Sequence, residues 1–281
     1  MHIASTPSSI RKLTASWRKA GASVGFVPTM GALHEAHRSL MERAKRENDR
    51  VVVSVFVNPK QFGPNEDYSR YPRPAAADAA LCRRAGTDAL YRPAPAAMYP
   101  EGFRTHVEVE GFSDRHCGAS RPGHFRGVAT VVLKLLNQVA PDRLYLGEKD
   151  FQQLTVVRRM ASDLDLPVKV VGCALVRAED GLALSSRNAY LSPSQRAAAP
   201  ALYRALQEGA REAGRRGATP DTVERAARAA LARTPAFRLD YLSLVDERTL
   251  ERPASLSGPL RLLTAAFIGN TRLIDNLPVH R

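Results

Sequence analysis

The chain has 281 residues, of which 44% are hydrophobic and 25% are charged, a balance typical of an ordered globular protein with length for one large domain or two ordinary ones. Its formal net charge of +13 would suit a nucleic-acid binder, but the arginines are scattered singly and no long basic run with interleaved aromatic residues occurs, so we expect no nucleic-acid partner. The lack of a bilayer-length apolar run, of a secretion signal, and of a disulfide or zinc spacing among the three cysteines predicts a cytoplasmic protein that does not enter membranes.

The most informative segment is the sequence PTMGALHEAH at residues 28–37. An apolar run at residues 24–27 precedes it and an amphipathic run at residues 39–45 follows it, which predicts a first strand, a tight turn with glycine, and a helix. His34 and His37 then lie in the opening turn of that helix, where backbone N–H groups and the helix dipole favour an anion such as phosphate. Taken alone, such a pair is more often two solvated histidines on an exposed turn.

Strand and helix patterns alternate through the next part of the chain. We predict further strands at residues 51–57, 89–91, 143–146 and 168–175, with helices at residues 75–85, 125–139 and 151–164. This order indicates an α/β domain, a Rossmann-like doubly wound parallel sheet, over residues 1–176. Such sheets bind ligands at the carboxyl ends of their strands, where the polar segments 30–37, 58–61 and 147–153 fall.

The pattern changes near residue 177. A loop containing glycine and serine, residues 179–188, leads to a helix start at Ser192 and Pro193. Two alanine-rich helices are predicted at residues 193–214 and 220–233, and strands at 238–245 and 260–268. We therefore predict a smaller α+β C-terminal domain over residues 177–281.

Seven short segments together resemble the pantothenate synthetase family, in the family's order and over almost the whole chain. They are PTMGALH from Pro28, VNPKQF from Val57, YPR from Tyr71, RPGHFRGV from Arg121, GEKDFQQ from Gly147, SSRN from Ser185 and TRLIDN from Thr271. Each segment alone is a weak signal, but the set is specific. The resemblance implies an ATP-dependent ligase that joins pantoate to β-alanine through a pantoyl-adenylate, releases pyrophosphate and AMP, uses Mg²⁺ and forms a homodimer.

The resemblance also implies roles for individual residues. The catalytic residues would be His34, His37 and Lys149, which act on the ATP phosphates without a covalent enzyme intermediate. The remaining ATP contacts would come from Met30, Gly147, Asp150, Val176, Ser185, Ser186 and Arg187. Pantoate would be held by Met30 and by the amides of Asn58, Gln61 and Gln153, because each amide offers both a donor and an acceptor.

Some of these positions keep a structural alternative. Asn58 also fits an ordinary turn residue, and Asp150 fits a helix N-cap. Arg121 and His124 flank a Pro-Gly pair and fit substrate contact and structural support equally. Asp78 stands at an acidic family position associated with Mg²⁺, although a charge on the exposed face of a helix explains it better. A metal site with few protein ligands is reasonable, since Mg²⁺ keeps waters and binds triphosphate oxygens.

Two residues depart from the family pattern. Ala36 replaces a glycine between the histidines, where the family brings its backbone close to the adenine, so we predict weaker ATP binding without a change of reaction. Leu184 replaces a methionine of similar volume and should matter little.

Two alternative functions remain open at this point, and the resemblance also predicts a domain closure. Another nucleotidyl-transferring enzyme of this fold would share the histidine turn but lack the Asn58, Gln61 and Gln153 amides, and a non-catalytic RNA-binding module would use the basic surface without ATP turnover. The domain from residue 177 is expected to close over the nucleotide as a lid and to keep water from the adenylate.

Overall fold

A computed structural model describes residues 1–64 and 66–280, which form two compact units. The first unit comprises Met1–Ser113, Arg121–Glu148 and Val156–Ala174, and the second comprises Asp114–Ser120, Lys149–Thr155 and Leu175–Arg281. Among the described residues, no helix has the length and apolar character needed to span a membrane.

The first unit is built on a six-stranded sheet in the order β1-β4-β3-β2-β5-β6, in which every pair of neighbours is parallel. Its strands are β1 (His2–Ala4), β2 (Val24–Thr29), β3 (Arg50–Val55), β4 (Ala89–Tyr91), β5 (Arg143–Gly147) and β6 (Lys169–Cys173). The helices that follow these strands are α1 (Pro7–Lys19), α2 (Glu35–Glu47), α3 (Ala75–Arg84), α4 (Pro95–Met98), α6 (His124–Val139) and α7 (Phe151–Asp163). The first residues of α7, up to Thr155, and the whole of α5 (Cys117–Ser120) belong to the second unit. The predicted Rossmann-like doubly wound parallel sheet is confirmed.

Residue type explains why the middle of this sheet forms. The β-branched run Val51–Val53 of β3 is fully buried, and its Val51 and Val53 pack in one core cluster with Val27 of β2, Met41 of α2 and Tyr145 of β5. A strand that is apolar on both faces needs cover on both faces, which the helices supply.

The amino-terminal strand and helix were not among the predicted elements. Helix α1 begins at Pro7 behind a capping box, in which Thr6 Oγ1 accepts the Ser9 N–H at 3.1 Å and Ser9 Oγ accepts the Thr6 N–H at 3.2 Å. Strand β1 pairs with β4 at the edge of the sheet. The strand at Val24 is therefore the second in the chain, not the first.

The second unit carries a three-stranded antiparallel sheet covered by helices, which confirms the predicted smaller α+β domain. Its elements are α8 (Pro193–Ala198), α9 (Ala201–Ala213), α10 (Pro220–Ala232), β7 (Phe237–Asp246), β8 (Leu260–Ile268) and β9 (Thr271–Val279). The single helix predicted at residues 193–214 is divided near Pro200, which lacks the N–H that a continuous helix needs. Leu206 and Val223 of the helices pack on Leu242 and Leu262 of the sheet, and β9 was not predicted.

Candidate active site

The strand order of the first unit contains a topological switch point between β2 and β5. From β2 the chain continues to β3 and β4 on one side, and later returns to β5 and β6 on the other. Ligands bind at the carboxyl ends of the strands that flank such a point. Met30 follows β2, Asn58 follows β3 after a short link, and Gly147 ends β5. Three of the predicted segments therefore leave the sheet at the same edge.

The turn after β2 has a backbone that suits few residues. Gly31 has φ of 85° and Ala32 has φ of 50°, both in the left-handed region. A Cβ on Gly31 would lie 2.9 Å from Asp78 Oδ2 and 3.0 Å from a methyl of Val55, so glycine is required for space as well as for φ. The turn delivers His34 to the N-cap position of α2 and His37 to its third position.

The two imidazoles lie together at the start of α2, with ring centroids 4.2 Å apart. The His34 backbone N–H donates to His37 Nδ1 at 3.3 Å. With Nδ1 as an acceptor, the proton of a neutral His37 ring is on Nε2, the tautomer that donates to an anion through Nε2. The local geometry therefore places two imidazoles beside the positive end of a helix dipole.

Asp78 was expected on the exposed face of its helix, and that expectation was wrong. Its side chain is 3% exposed and lies under the histidine turn. Asp78 Oδ2 accepts the Ala32 N–H at 3.1 Å, and Oδ1 accepts the Leu33 N–H at 2.8 Å. A carboxylate in this place accepts two successive N–H groups of the turn and so holds its conformation. The sequence could not show this, because α3 reaches the turn only through the fold.

A magnesium ion would find few ligands among these residues. The described part of the chain contains no group of three or more His, Cys, Asp or Glu side chains that could hold a metal ion. Both oxygens of Asp78 already accept backbone hydrogen bonds. The protein thus fits only a metal bound mainly through triphosphate oxygens and water, as Mg²⁺ often is in nucleotide sites.

Asn58 is 1% exposed, and protein groups surround its amide. Its Nδ2 lies 3.1 Å from Gly127 O and 3.1 Å from Gln61 Oε1, and its Oδ1 accepts the Lys60 N–H at 3.3 Å and the Tyr99 hydroxyl at 2.8 Å. These contacts use both donors and both acceptor positions of the amide. They differ from the direct pantoate contact expected of Asn58 and favour a role in holding Gln61.

Gln61 ends the short 3₁₀ turn Pro59–Gln61 and is 8% exposed. While its Oε1 faces Asn58, its Nε2 lies 2.8 Å from Met30 Sδ. This contact connects the turn after β3 to the turn after β2, so two predicted pantoate-binding residues are neighbours.

Arg121 and His124 meet at the backbone carbonyl of Gln61. His124 Nδ1 lies 2.8 Å from Gln61 O, the Arg121 guanidinium donates to the same oxygen at 3.2 Å, and Arg121 Nη1 lies 3.0 Å from His124 Nε2. The guanidinium also binds both carboxylate oxygens of Glu66, at 2.7 and 2.5 Å. Of the two alternatives for Arg121 and His124, these contacts favour structural support.

Glu66 carries no sequence signal and was not predicted. Burial raises its pKa, but the hydrogen bond and positive charge of Arg121 outweigh burial and hold the pKa below its usual value. Glu66 therefore stays ionised near neutral pH as the counter-ion of Arg121.

Gly127 was also not predicted, although it belongs to the RPGHFRGV segment. A Cβ at this position would lie 2.1 Å from Lys60 O, so only glycine lets α6 approach the Pro59–Gln61 turn this closely. The close approach brings Gly127 O within reach of the Asn58 amide.

The second unit contains the other predicted residues: Lys149, Asp150, Gln153, Val176, Ser185, Ser186 and Arg187. Lys149 Nζ lies 3.9 Å from Asp150 Oδ2, and the Lys149 carbonyl accepts the side-chain N–H of Asn276 at 3.0 Å. Ser185 Oγ accepts the Arg187 N–H at 3.3 Å and so caps the 3₁₀ turn Ser186–Tyr190. Asp150 directly precedes α7, the position expected of an N-cap.

The TRLIDN segment supports these groups from β9. Asp275 is buried and binds Arg177 through two hydrogen bonds, of 2.7 and 2.8 Å. Arg177 also donates to Gly181 O at 2.9 Å, so the pair anchors the start of the loop that leads to Ser185. With Asn276 on the Lys149 carbonyl, neighbouring residues of one strand hold two predicted phosphate-binding segments.

Comparisons with known proteins agree over the whole chain. The family model described as Pantoate-beta-alanine ligase matches residues 2–278. A pantothenate synthetase of Thermus thermophilus is 54% identical over 276 residues, 98% of this chain and 99% of that protein. That of Moorella thermoacetica is 49% identical over 279 residues, 99% of this chain and 98% of that protein.

Two solved structures are similar in fold as well. A crystal structure of pantothenate synthetase from Thermus thermophilus gives a TM-score of 0.93 at 51% identity, covering 100% of both chains. The pantoate-beta-alanine ligase of Francisella tularensis, crystallised with beta-gamma ATP and beta-alanine, gives 0.82 at 35% identity, covering 99% of this chain and 97% of that one.

Proposed function

The chain belongs to the pantoate–β-alanine ligase family, whose reaction joins pantoate and β-alanine at the expense of ATP, and we propose how its residues divide that reaction. A pantoate carboxylate oxygen attacks the α-phosphorus of ATP, forming pantoyl-adenylate as pyrophosphate leaves. The β-alanine amine then attacks the acyl carbon, forming the amide bond as AMP leaves. The observation that carries this assignment is the contact between Gln61 and Met30, which joins the amide turn to the histidine turn at the switch point.

In the first unit, we assign ATP phosphate binding to His34 and His37. Their paired rings at the start of α2 and the Nε2–H tautomer of His37 support this role, since both favour a polyanion. Neither step needs a covalent bond to the enzyme, so the residues act by placing the reactants and by stabilising charge on the phosphorus oxygens. The substrate ATP has a counterpart in the Francisella relative, which was crystallised with beta-gamma ATP.

For pantoate, we assign direct contact to Met30, Gln61 and Gln153, and an indirect role to Asn58. The filled hydrogen bonds of Asn58 support this change from the sequence-based expectation. Arg121 and His124 fix the Gln61 backbone and so hold its side chain in place.

From the resemblance, we assign binding of the α-phosphate to Lys149 in the second unit. Asp150 would bind the ribose together with Gly147 of the preceding strand, and Val176 and Ser185–Arg187 would make further contacts with the nucleotide. The ion pair between Arg177 and Asp275 anchors the loop that leads to Ser185, which supports the nucleotide contacts assigned to that loop. That the domain over residues 177–281 closes as a lid stays a prediction, as does the boundary at residue 177.

Mg²⁺, a homodimer and a cytoplasmic location complete the proposal. The metal would bind the triphosphate and water, and its chemistry would be to neutralise phosphate charge. Light scattering on the purified protein tests the dimer, since a monomer at micromolar concentration would contradict it.

The decisive test is an assay of AMP release with the three substrates omitted one at a time, because AMP should form only when pantoate, β-alanine and ATP are all present. Pyrophosphate release with pantoate and ATP alone would separate this enzyme from other nucleotidyl transferases. His34→Ala and Lys149→Ala should each lower kcat/KM by about 100-fold or more while the melting temperature stays near that of the wild type. Full activity in both variants would contradict the assigned site.

A further inference from the structure

We propose that Tyr99 is a positioning residue for pantoate: its hydroxyl orients Asn58, and Asn58 orients Gln61 so that Gln61 offers its amide N–H groups, not its carbonyl, to the substrate. The inference rests on the proposed contact between Gln61 and pantoate. It adds that Gln61 is the hydrogen-bond donor in that contact, and that Tyr99, which lies outside the seven segments resembling the family, positions it.

Three hydrogen bonds connect the residues in series. The Tyr99 hydroxyl donates to Asn58 Oδ1 at 2.8 Å, Asn58 Nδ2 donates to Gln61 Oε1 at 3.1 Å, and Gln61 Nε2 lies 2.8 Å from Met30 Sδ. All four residues belong to the first unit.

Two backbone groups fix the direction of the series. Gly127 O, 3.1 Å from Asn58 Nδ2, can only accept a hydrogen bond, and the Lys60 N–H, 3.3 Å from Asn58 Oδ1, can only donate one. An Asn58 amide turned by 180° would place nitrogen against N–H and oxygen against carbonyl, and both contacts would be lost. The oxygen of Asn58 therefore faces Tyr99, and its nitrogen faces Gln61.

The same reasoning extends to Gln61. Its oxygen must face the Asn58 nitrogen, so its own nitrogen points to the other side, where Met30 lies. An amide nitrogen offers only N–H donors. The matching group of pantoate is an acceptor, either the carboxylate or a hydroxyl oxygen.

Tyr99 is suited to hold this arrangement. It directly follows α4, and its ring packs against Phe56 and Phe103, with centroids 6.3 and 5.1 Å away. Burial raises the pKa of the Tyr99 phenol, so the hydroxyl keeps its proton at any pH at which the enzyme works. Without this hydroxyl, Asn58 Oδ1 keeps only the longer bond from Lys60, so the Asn58 amide, and through it the Gln61 amide, is held less firmly in place.

Tyr99→Phe tests the proposal, because it removes one oxygen and leaves the ring. We expect the KM for pantoate to rise about three- to tenfold, the effect of one buried hydrogen bond, with kcat and the KM values for ATP and β-alanine within about twofold of the wild type. Tyr91→Phe is the matched control, since the buried Tyr91 hydroxyl also donates to an amide oxygen, Gln138 Oε1, at 2.8 Å. It should leave all three KM values unchanged.

A Tyr99→Phe enzyme with an unchanged pantoate KM, or with all three KM values raised together, would overturn the proposal. The second pattern is what general loosening of the unit would produce.

The polarity is tested by Gln61→Glu against Gln61→Ala. The glutamate keeps the shape of the side chain and still accepts from Asn58, but it places an oxygen where the N–H groups were. We therefore expect weaker pantoate binding in Gln61→Glu than in Gln61→Ala, and binding as good as the alanine variant or better would refute the polarity. A normal pantoate KM in Gln61→Ala would contradict the proposed contact between Gln61 and pantoate itself. This outcome differs from the one that refutes only the polarity, so the two proposals are tested separately.

Discussion

At the scale of single residues, Asp78 shows how a buried charge can hold the turn that carries the histidines of the candidate site. Its carboxylate accepts two successive N–H groups of the turn that carries the histidines, at 3.1 and 2.8 Å. Ala32 in this turn has φ of 50°, a conformation that costs a residue with a side chain roughly 1 kcal/mol. The carboxylate offsets this strain by filling the hydrogen bonds that the turn exposes.

The role of Asp78 leads to a stability prediction. Asp78→Ala removes the carboxylate that accepts from two partly buried N–H groups and should lower the free energy of unfolding by about 2–4 kcal/mol, while Asp78→Asn, which keeps one acceptor oxygen, should lose less. Urea unfolding without ATP or metal measures both. Asp163→Ala is the control, since its exposed ion pair with Arg159 should change stability by less than about 1 kcal/mol. A role as a metal ligand alone would instead leave stability intact in the absence of metal.

Ala36 gives a second prediction at this scale. It occupies the second position of α2, between the histidines, where the resemblance places a glycine. Ala36→Gly should lower the KM for ATP by removing a methyl that crowds the nucleotide, while glycine in the helix costs up to about 1 kcal/mol of stability. Ala15→Gly on the exposed face of α1 should show the stability cost without the change in KM. An ATP KM that stays the same or rises in Ala36→Gly would count against the crowding.

At the scale of elements, the packing of α6 on the Pro59–Gln61 turn positions the amides of Asn58 and Gln61 in the proposed pantoate site. Gly127→Ala would force a methyl to within 2.1 Å of Lys60 O, so the helix and the turn must separate. We expect a loss of about 3 kcal/mol or more in stability and a pantoate KM raised by more than that of Tyr99→Phe, because the bond from Asn58 to Gly127 O breaks as well. Gly214→Ala is the control, because the nearest atom to the new Cβ is 3.5 Å away. It should leave both the stability and the pantoate KM nearly unchanged. A fully active, stable Gly127→Ala enzyme would show that this contact is not required.

The ion pair between Arg121, in the loop before α6, and Glu66, in the segment before α3, predicts a pH effect. The pKa of Glu66 in the folded protein lies below its ordinary value of 4.5, so the pair contributes stability above that pH and loses it as the pH falls through the folded pKa. Glu66→Gln should therefore lower the free energy of unfolding at pH 7 by about 1 kcal/mol. As the pH falls below about 5, the variant should lose less stability than the wild type, because it has no carboxylate to protonate at this position. Thermal melts over this range measure it, and parallel curves for the two proteins would rule the linkage out.

The elements that could be predicted are those whose signal is local. The buried valines of β3, the apolar face of α6 and the capped start of α10 follow from residue type within a few positions. Strand β1 has three residues, and its pairing with β4 decides its conformation. Strand β9 buries Asp275 and Asn276, whose polar side chains bind Arg177, Arg261 and the Lys149 carbonyl, all from distant positions in the sequence. Because these buried positions are polar, the sequence of β9 lacks the apolar pattern that predicts a buried strand.

The candidate site shows the same limit. The histidine turn, Lys149 and the amides could be proposed because they stand in recognisable segments, whereas Tyr99, Glu66 and Gly127 act through partners far along the chain. The role proposed for Asn58 changed for the same reason, since its partners Tyr99 and Gly127 lie after α4 and in α6.

At the scale of the whole molecule, the chain passes between its two units five times, after Ser113, Ser120, Glu148, Thr155 and Ala174. Within the second unit, Gln152 Oε1 accepts the Cys117 N–H at 3.1 Å, and Asp240 accepts hydrogen bonds from Arg272 and Ser120. These contacts tie the two short excursions to the C-terminal sheet. Composition along the chain cannot reveal such excursions, because contacts between distant residues decide which unit a segment joins.

The net charge of +13 gives the last prediction. A positive field attracts anions over the distance that salt leaves unscreened, about 10 Å at 0.1 M ionic strength. ATP carries several negative charges and pantoate carries one, whereas β-alanine at neutral pH is a zwitterion with no net charge. If the excess charge serves the substrates, raising the ionic strength from about 0.02 to 0.3 M should raise the KM most for ATP, less for pantoate and least for β-alanine. The third substrate is the internal control, because a general effect of salt on the enzyme would raise all three values alike, and that result would show that the charge serves something other than substrate capture.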